Sequence, residues 1–477
     1  MKTKYIIFCA AILFASCSQD FLELYPETSL NENNFYQSDE EFVLLVNGSY
    51  IPLRNLGKTV HWYISEVKSD NMDLQSGNTN IELYHNNEFL YNSSSTTYES
   101  YWNNTYSGIY NCNKAIEALE TVKHNWENPA LKERSLGEVY FLRALYYFNL
   151  VRQYGGVPIV TKGITGDEAV GIKRSTEEDV YDLIIADLNE AIEHLANMGD
   201  TGEPGRVNLG AAQALLGKVY LNLKVYSAAE TQLYDVIQSK NFGLLPNYAD
   251  VFDPRNKDYY ETLFAIQYSE SAAELSNSFI FFNAPVTSGG EVTNRPNVAL
   301  STSAAIKPST ELIGAFEKGD ERYSVSIGIW TGPDANGDIK DFAYCAKYKG
   351  PQTASLGWCG DNFPILRYSD VLLMYAEALN EQGRTEEAIS YVEEVRHRAN
   401  LMNDISGLSK AELTVLIEHE RQVEFCFENQ RWYDLVRTGR AIEVMRAQGK
   451  DIQSYQLLAP IPGEQVKINQ IEQNPGY

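Results

Sequence analysis

The sequence predicts a mainly α fold of stacked helix pairs. Three observations point to it: a tetratricopeptide-like spacing of small and large residues, the recurrence of that spacing, and Gly or Pro where helix pairs must turn. The clearest copy runs from Leu209 to Ser239. There Leu216-Gly217, Tyr220, Ala229 and Leu233 match the pattern L-G-x2-Y…A-x3-F, with Gln213 in place of its Trp. The reason is steric. Gly217 and Ala229 let two helix backbones approach closely, and Leu216, Tyr220 and Leu233 fill the space beside them. Such a pair cannot bury its apolar face alone, so stacked copies are expected.

The register returns from Tyr368 to Ala399, with Leu372, Tyr375-Ala376, Leu379, Ala388 and Val392 at matching positions and Gly383 between the helices. A third first helix, Leu136 to Tyr154, is apolar nearly all round and is expected to be buried. Its partner is displaced: Gly155-Gly156-Val157-Pro158 stops the helix, and the second helix opens at Thr176-Glu177-Glu178-Asp179, an acidic N-cap and first turn. A fourth unit is expected from Ser409 to Arg437. Units thus fall at about 133–197, 207–239, 367–399 and 409–437. An ordinary helical bundle is the alternative reading of the same spacing.

The chain opens with Lys2 and Lys4, a short apolar run from Tyr5 to Phe14, then Ala15-Ser16-Cys17. The run is too short to span a bilayer core, which needs about 20 apolar residues, and reads as the h-region of an export signal over residues 1–16. Cys17 after small residues resembles a bacterial lipobox, which makes Cys17 the expected lipidation site; an ordinary cleaved signal is the alternative. The remainder, 17–477, reads as one domain anchored to a membrane by lipid. Formal net charge is −25, and loss of Lys2 and Lys4 makes it more negative by two. A field of that sign repels nucleic acid, and no basic stripe interrupts it. Of the cysteines beyond Cys17, Cys345 and Cys359 are the sequence-near pair that export would allow to bridge.

Between the repeats lie two irregular stretches, about 69–99 and 241–363, the second rich in turn chemistry such as Pro333-Asp334-Ala335-Asn336-Gly337. Long insertions on a rigid repeat scaffold are where binding surfaces are expected, with minor β structure.

Several local patterns together resemble the RagB/SusD family: Cys17 to Glu23, Ser69-Asp70-Asn71, Trp102 with Tyr106, Ile109 and Asn113, Arg143-Ala144 with Tyr147, and Tyr154-Gly155-Gly156-Val157-Pro158. The resemblance continues through Gly205-Arg206-Val207, Gly319-Asp320 with Arg322, Leu366 to Leu373, Arg396 with Arg398, Glu420-Arg421 with Glu424, Arg431-Trp432 with Asp434, and Asn474 to Tyr477. It covers essentially the whole mature chain. It implies a SusD-like fold and an outer-membrane, cell-surface lipoprotein that binds glycan and partners a SusC-type TonB-dependent transporter.

Enzyme signatures fail. His419-Glu420 begins an H-E-x-x-H string, but Val423 stands where the second histidine belongs. Acids and bases at Glu420, Arg421, Glu424, Arg431, Asp434 and Arg437 fall at helical spacings that suit ion pairs better than a facing glycosidase pair. Ser369 and Asp370 are capping candidates at a repeat entry. Asp334, Asn336 and Asp338 could offer oxygens to calcium, but Asn336-Gly337 is the best hairpin turn signal in the chain. No catalytic residue, cofactor or metal is expected.

A neutral sugar needs flat apolar surfaces for its C–H faces and fixed polar groups for its hydroxyls. Within the irregular stretches, Tyr84, Trp330 and Trp358 are the stacking candidates, and Asn87, Arg295 and Asp361 the hydroxyl partners. Trp102, Tyr106, Tyr147 and Trp432 have helical spacing and are assigned to the core. Overall acidity favours neutral over sulfated or uronic glycans, unless Arg295 or Lys347 overrides the field locally. The expected function is capture of an oligo- or polysaccharide for transport. Two alternatives are a repeat scaffold binding a peptide or protein, and a surface glycoside hydrolase.

Overall fold

The computed structural model describes residues 36–58, 60–198, 203, 205–257, 260–293, 306–351 and 358–477. Cys17 and Arg295 lie outside them. The main helices are α1 (Asp39–Lys58), α2 (Thr96–Thr121), α3 (Pro129–Tyr154), α4 (Glu177–Leu195), α5 (Leu209–Asn222), α6 (Tyr226–Ser239), α7 (Tyr368–Glu381), α8 (Thr385–Arg398), α9 (Lys410–Glu424) and α10 (Arg431–Arg437). Helices α3 and α4, α5 and α6, and α7 and α8 pack as pairs, and the pairs are joined where α4 meets α5 and α6 meets α7. Helices α1 and α2 cover α3 from the other side.

Local chemistry sets these boundaries. Helix α3 begins earlier than its apolar run, because Asn128 caps it and Pro129 occupies the first position, where a missing N–H costs nothing. It ends at Gly155, whose φ of +71° an L side chain rarely adopts. Thr176 with Asp179 and Ser409 with Glu412 form reciprocal capping boxes on α4 and α9. The close approach of α5 and α6 depends on Gly217: a Cβ there would sit 2.7 Å from Cγ of Leu233. Ser369 and Asp370 do not cap α7. Both lie inside its first turn, Arg367 is the N-cap residue, and the Ser369 hydroxyl instead accepts from the Arg367 guanidinium while Asp370 pairs with Arg421.

Motif residues tie these helices together. Arg143 on α3 makes a bidentate contact to Asp187 on α4, at 2.8 and 2.6 Å, and its third nitrogen reaches Asn113 on α2 at 2.9 Å. Tyr106 and Tyr147 donate to the carbonyls of Pro158 and Val160, and Asn474 donates to those of Tyr154 and Ala459. Trp102, Tyr147 and Trp432 are buried, as their spacing predicts.

Among the described residues, the irregular stretches contain three short antiparallel strand pairs. β1 (Met72–Leu74) pairs with β3 (Ile306–Pro308), so the first irregular stretch is stitched to the second. β2 (Thr262–Ile266) pairs with β6 (Phe363–Arg367), which runs directly into α7. β4 (Ile327–Pro333) and β5 (Ile339–Cys345) form a hairpin. At its tip Oδ1 of Asp334 accepts from the backbone N–H of Asn336 and Asp338, and Lys340 pairs with Oδ2, so this carboxylate closes a turn. Cys345 and Cys359 are both buried and are not bridged to each other. Among the described residues no helix is long and apolar enough to cross a membrane.

Where α7, α8 and α9 meet β6, the core holds charge. Glu424 accepts from Arg367, Arg398 and Arg322 together. Around it Asp320, Glu261, Glu420 and Glu428 are matched by Arg396 and Lys347 with the same three arginines. Every one of these groups is buried or nearly so, and the acids and bases balance. Burial pushes the Glu424 carboxyl up, but Arg398, Arg367 and Arg322 outweigh it and hold the group well below the usual range.

Removing one partner leaves buried charge uncompensated. Arg367→Met is expected to lower stability by about 3–5 kcal/mol, read as a fall in the urea midpoint at unchanged slope. A loss under ~1 kcal/mol would show that the network is incidental. Because the folded pKa of Glu424 is depressed, its contribution is present above the unfolded value of 4.5 and fades as pH falls below it. The midpoint should therefore drop on acidification from pH 4.5, and less steeply in Glu424→Gln.

Candidate functional site

The first irregular stretch is pinned before it becomes exposed. Asp70 clamps Arg431 of α10 through two contacts of 2.8 Å, and Asn71 donates to Glu66, whose carboxylate also accepts the backbone N–H of Phe427 and Asn429. Lys68 is wholly buried with no hydrogen-bond partner for its ammonium among the described residues, and that ammonium lies 4.4 Å from the Trp432 ring and 4.7 Å from the Tyr91 ring. Burial drives its pKa well below the ordinary lysine value. The Ser69-Asp70-Asn71 motif is thus an attachment point.

Beyond it, Gln75 bridges the two irregular stretches. Its Nε2 donates to Ala284 and Ile306, and its Oε1 accepts from the Val286 N–H. Asn80 then caps a short helix, Ile81–Asn87, by accepting from the N–H groups of Glu82 and Leu83. Ile81, Tyr84 and Glu88 share one face of that helix at helical spacing. Ile81 is 59% exposed and Tyr84 47%. Beneath them opens a cleft of about 380 Å3, lined by Asp73, Gln75, Asn78, Asn80, Tyr84 and Glu88 among others. An exposed ring and an aliphatic edge beside amides and carboxylates suit a ligand with apolar faces and a polar perimeter.

Of the sequence candidates, Tyr84 projects at this cleft. Asn87 also borders it, but only 1% of its surface is exposed; its amide donates to Val67 and accepts from Lys450, which also pairs with Glu88. Trp330 stands on the β4–β5 hairpin, whose β5 packs on β3 and whose β4 packs on the turn Val286–Ser288, so the hairpin adjoins the same face. Its indole N–H donates to Glu291 at 2.7 Å and its ring lies against Phe342, leaving it 9% exposed. Trp358 is half-buried beside the isolated bridge of Asn277 to Cys359. Asp361 is 2% exposed, accepts from the Lys349 N–H at 2.7 Å and receives Asn277 on its carbonyl. Neither Trp358 nor Asp361 lines the cleft. Lys347 is fully buried against Glu428 and offers no local charge to a ligand.

Sequence reasoning missed Asp73, Gln75, Asn78, Asn80 and Glu88. A signal existed for the helix: Asn78-Thr79-Asn80 before Ile81 is an N-cap pattern, and would have placed Tyr84 and Glu88 on one face. A larger groove of about 560 Å3 lies between α1 and β2, but Leu44, Ile51, Leu53 and Ile266 make its walls largely aliphatic, and the hydroxyl of Tyr50 is held by Glu138. Its rings, Tyr50 and Phe264, are not exposed, and its amides, Asn47 and Gln267, already accept from Arg206 and Asn362. Glu420 and Glu424, the helically spaced carboxylates weighed as a catalytic pair, are saturated by arginines, and neither lines the cleft or the groove.

Two family models match the chain: residues 20–221 match one described as starch-binding and associating with the outer membrane, and residues 340–477 match the SusD family. A SusD-like protein of Formosa agariphila is 30% identical over 93% of this chain and 92% of its own. Among solved structures, a SusD superfamily protein from Parabacteroides distasonis superposes with a TM-score of 0.78 at 26% identity, covering 94% of this chain and all of that one. A laminarin-binding SusD-like protein superposes at 0.76 with 26% identity, covering 93% of this chain and all of its own.

Burial pushes the Asp361 carboxyl up to about 6, against the pull of the Lys349 N–H. A raised carboxyl pKa makes stability fall as pH rises from the unfolded value of 3.8 through 6. Asp361→Asn should remove that fall, so the variant gains on the parent in paired urea titrations at pH 4 and pH 7. An unchanged difference between the two pH values would mean that Asp361 is already ionised in the folded protein.

Proposed function

This chain belongs to the SusD/RagB family, and on that premise we propose that it is a cell-surface lipoprotein, anchored through Cys17 to the outer membrane, that captures oligo- or polysaccharide. It hands the glycan to a SusC-type TonB-dependent transporter. The observation that carries the reading is the exposed Tyr84 ring over the 380 Å3 cleft, set among Asp73, Gln75, Asn78, Asn80 and Glu88. The laminarin-binding relative of the same fold supports a glycan as the ligand class. Tyr84 stacks on a sugar ring, and the amides and carboxylates order its hydroxyls. Trp330, Trp358, Asn87, Arg295 and Asp361 belong to this proposal in a secondary role. Asn87 supports the cleft helix from behind, and Trp330 stiffens the neighbouring hairpin.

The protein binds without chemistry. Holding glycan above a transporter raises its local concentration, which needs only modest affinity at each encounter. The cleft carboxylates Asp73 and Glu88, with Lys450 committed to Glu88, favour neutral glycans over sulfated or uronic ones. The helical side, where Tyr234 and Val415 stand exposed, is the side assigned to the transporter.

Retention on native gels containing neutral and acidic polysaccharides tests the assignment. Tyr84→Ala is expected to weaken binding to a retained neutral glycan about tenfold, ~1.4 kcal/mol, without moving the thermal midpoint, because the ring is exposed. Trp330→Ala should lower the midpoint and weaken retention less. Retention unchanged in Tyr84→Ala would remove this cleft as the binding site, and release of reducing ends during the assay would favour a hydrolase.

A further inference from the structure

Where α3, α5 and the 425–430 connection meet β6, the interior contains a narrow cavity of about 40 Å3. One water needs about 10–15 Å3 of such space, so a small ion with a water or two fits. Its polar lining is His61, Asn149, Arg152, Lys218, Glu428, Asn429 and Gln430. Buried polar atoms nearly always find a partner, and unsatisfied ones call for an explanation. Here Nε2 of His61 and both amide atoms of Asn429 have none among the described residues, although the two residues are only 7% and 4% exposed.

The charges facing the space are not balanced. Arg152 donates to neutral acceptors, the Phe148 carbonyl at 3.3 Å and Oδ1 of Asn149 at 2.7 Å, and its guanidinium lies 4.1 Å from the Phe148 ring and 4.2 Å from the Tyr433 ring. No carboxylate among the described residues pairs with it. Lys218 contacts Asp370 at 2.8 Å and also Gln430, but Asp370 is shared with Arg421. The lining carboxylate, Glu428, is enclosed by Arg367 and Lys347. Burial and then Arg152 push the His61 imidazole down to about 3, so the ring stays neutral and can offer one N–H. The Asn429 backbone is fixed, at φ +58°, by its N–H on Glu66 at 2.9 Å, so the amide is held where it stands.

We propose that this cavity binds a small monovalent anion of the halide class, with Arg152 supplying the countercharge and the Asn429 amide and His61 Nε2 supplying hydrogen bonds. A cation is repelled by Arg152 and Lys218, and a tetrahedral oxyanion with its hydration exceeds the space. A water on Oδ1 of Asn429 completes the site. The bound anion links α3 to the segment carrying His61 and Glu66, the same segment that leads into the cleft, and it is independent of which glycan the cleft takes.

Crystals of the mature chain soaked in sodium bromide and measured at the bromine edge test the proposal. An anomalous peak in the cavity within reach of Arg152 and Asn429 is expected, and its absence at molar bromide overturns the site, leaving ordered water as the occupant. In solution, the thermal midpoint in sodium chloride should exceed that in sodium gluconate at equal ionic strength by about 2 °C. Asn429→Asp, which brings its own anion and tolerates the left-handed backbone, should abolish the difference and the peak. Arg152→Met should do the same. A chloride effect and a bromide peak that both persist in Asn429→Asp also overturn the assignment.

Discussion

The contact on which the rest of this protein depends is Glu424 with three guanidiniums. Arg367 stands at the junction of β6 and α7, Arg398 at the end of α8 and Arg322 in the second irregular stretch, so one carboxylate at the end of α9 fixes repeat helices and irregular face in one geometry. Desolvating such charges is costly, and the cost is offset only when every partner is present with good geometry. That requirement acts as a specificity device: a shifted register between α7 and α9 would strand several buried charges at once. Apolar packing supplies the bulk of the stability, but packing alone tolerates slippage that the charge network does not.

The same division of labour governs the cleft. Its back is rigid: Asp70 on Arg431, Gln75 across to Ala284, Val286 and Ile306, and Lys68 among Trp432 and Tyr91 all hold the segment from behind. Its front, Ile81 and Tyr84, is left in solvent. A ring presented on a capped helix keeps few rotamers to lose on binding, which matters for a protein whose ligand makes only shallow contact.

The site was less legible than the fold. Tyr84, Trp330 and Trp358 are equal candidates in the sequence because exposure cannot be read from residue type. Trp330 turned its N–H to Glu291, and Asp361 sank beneath the Lys349 N–H, both through partners distant in sequence or set by strand pairing. Asn87 follows the same logic, with its amide committed to Val67 and Lys450. Ser369 and Asp370 looked like caps because local spacing is all that a sequence displays; the arginines that claim them come from Arg367 itself and from Arg421, far along the chain.

What the sequence by itself determined was local and periodic. Gly217 opposite Leu233, the capping boxes at Thr176 and Ser409, Gly383 with φ of +80° between α7 and α8, and the Asn336-Gly337 hairpin turn are dictated by sterics and hydrogen bonding within a few residues. Tertiary structure alone decided which polar groups are free and which are consumed. Glu424, Asp70 and Gln75 are indistinguishable from solvent-facing residues until elements hundreds of residues apart converge on them. The reason is physical: a side chain's availability for ligand is set by whatever else satisfies it, and that partner is chosen by the folded arrangement.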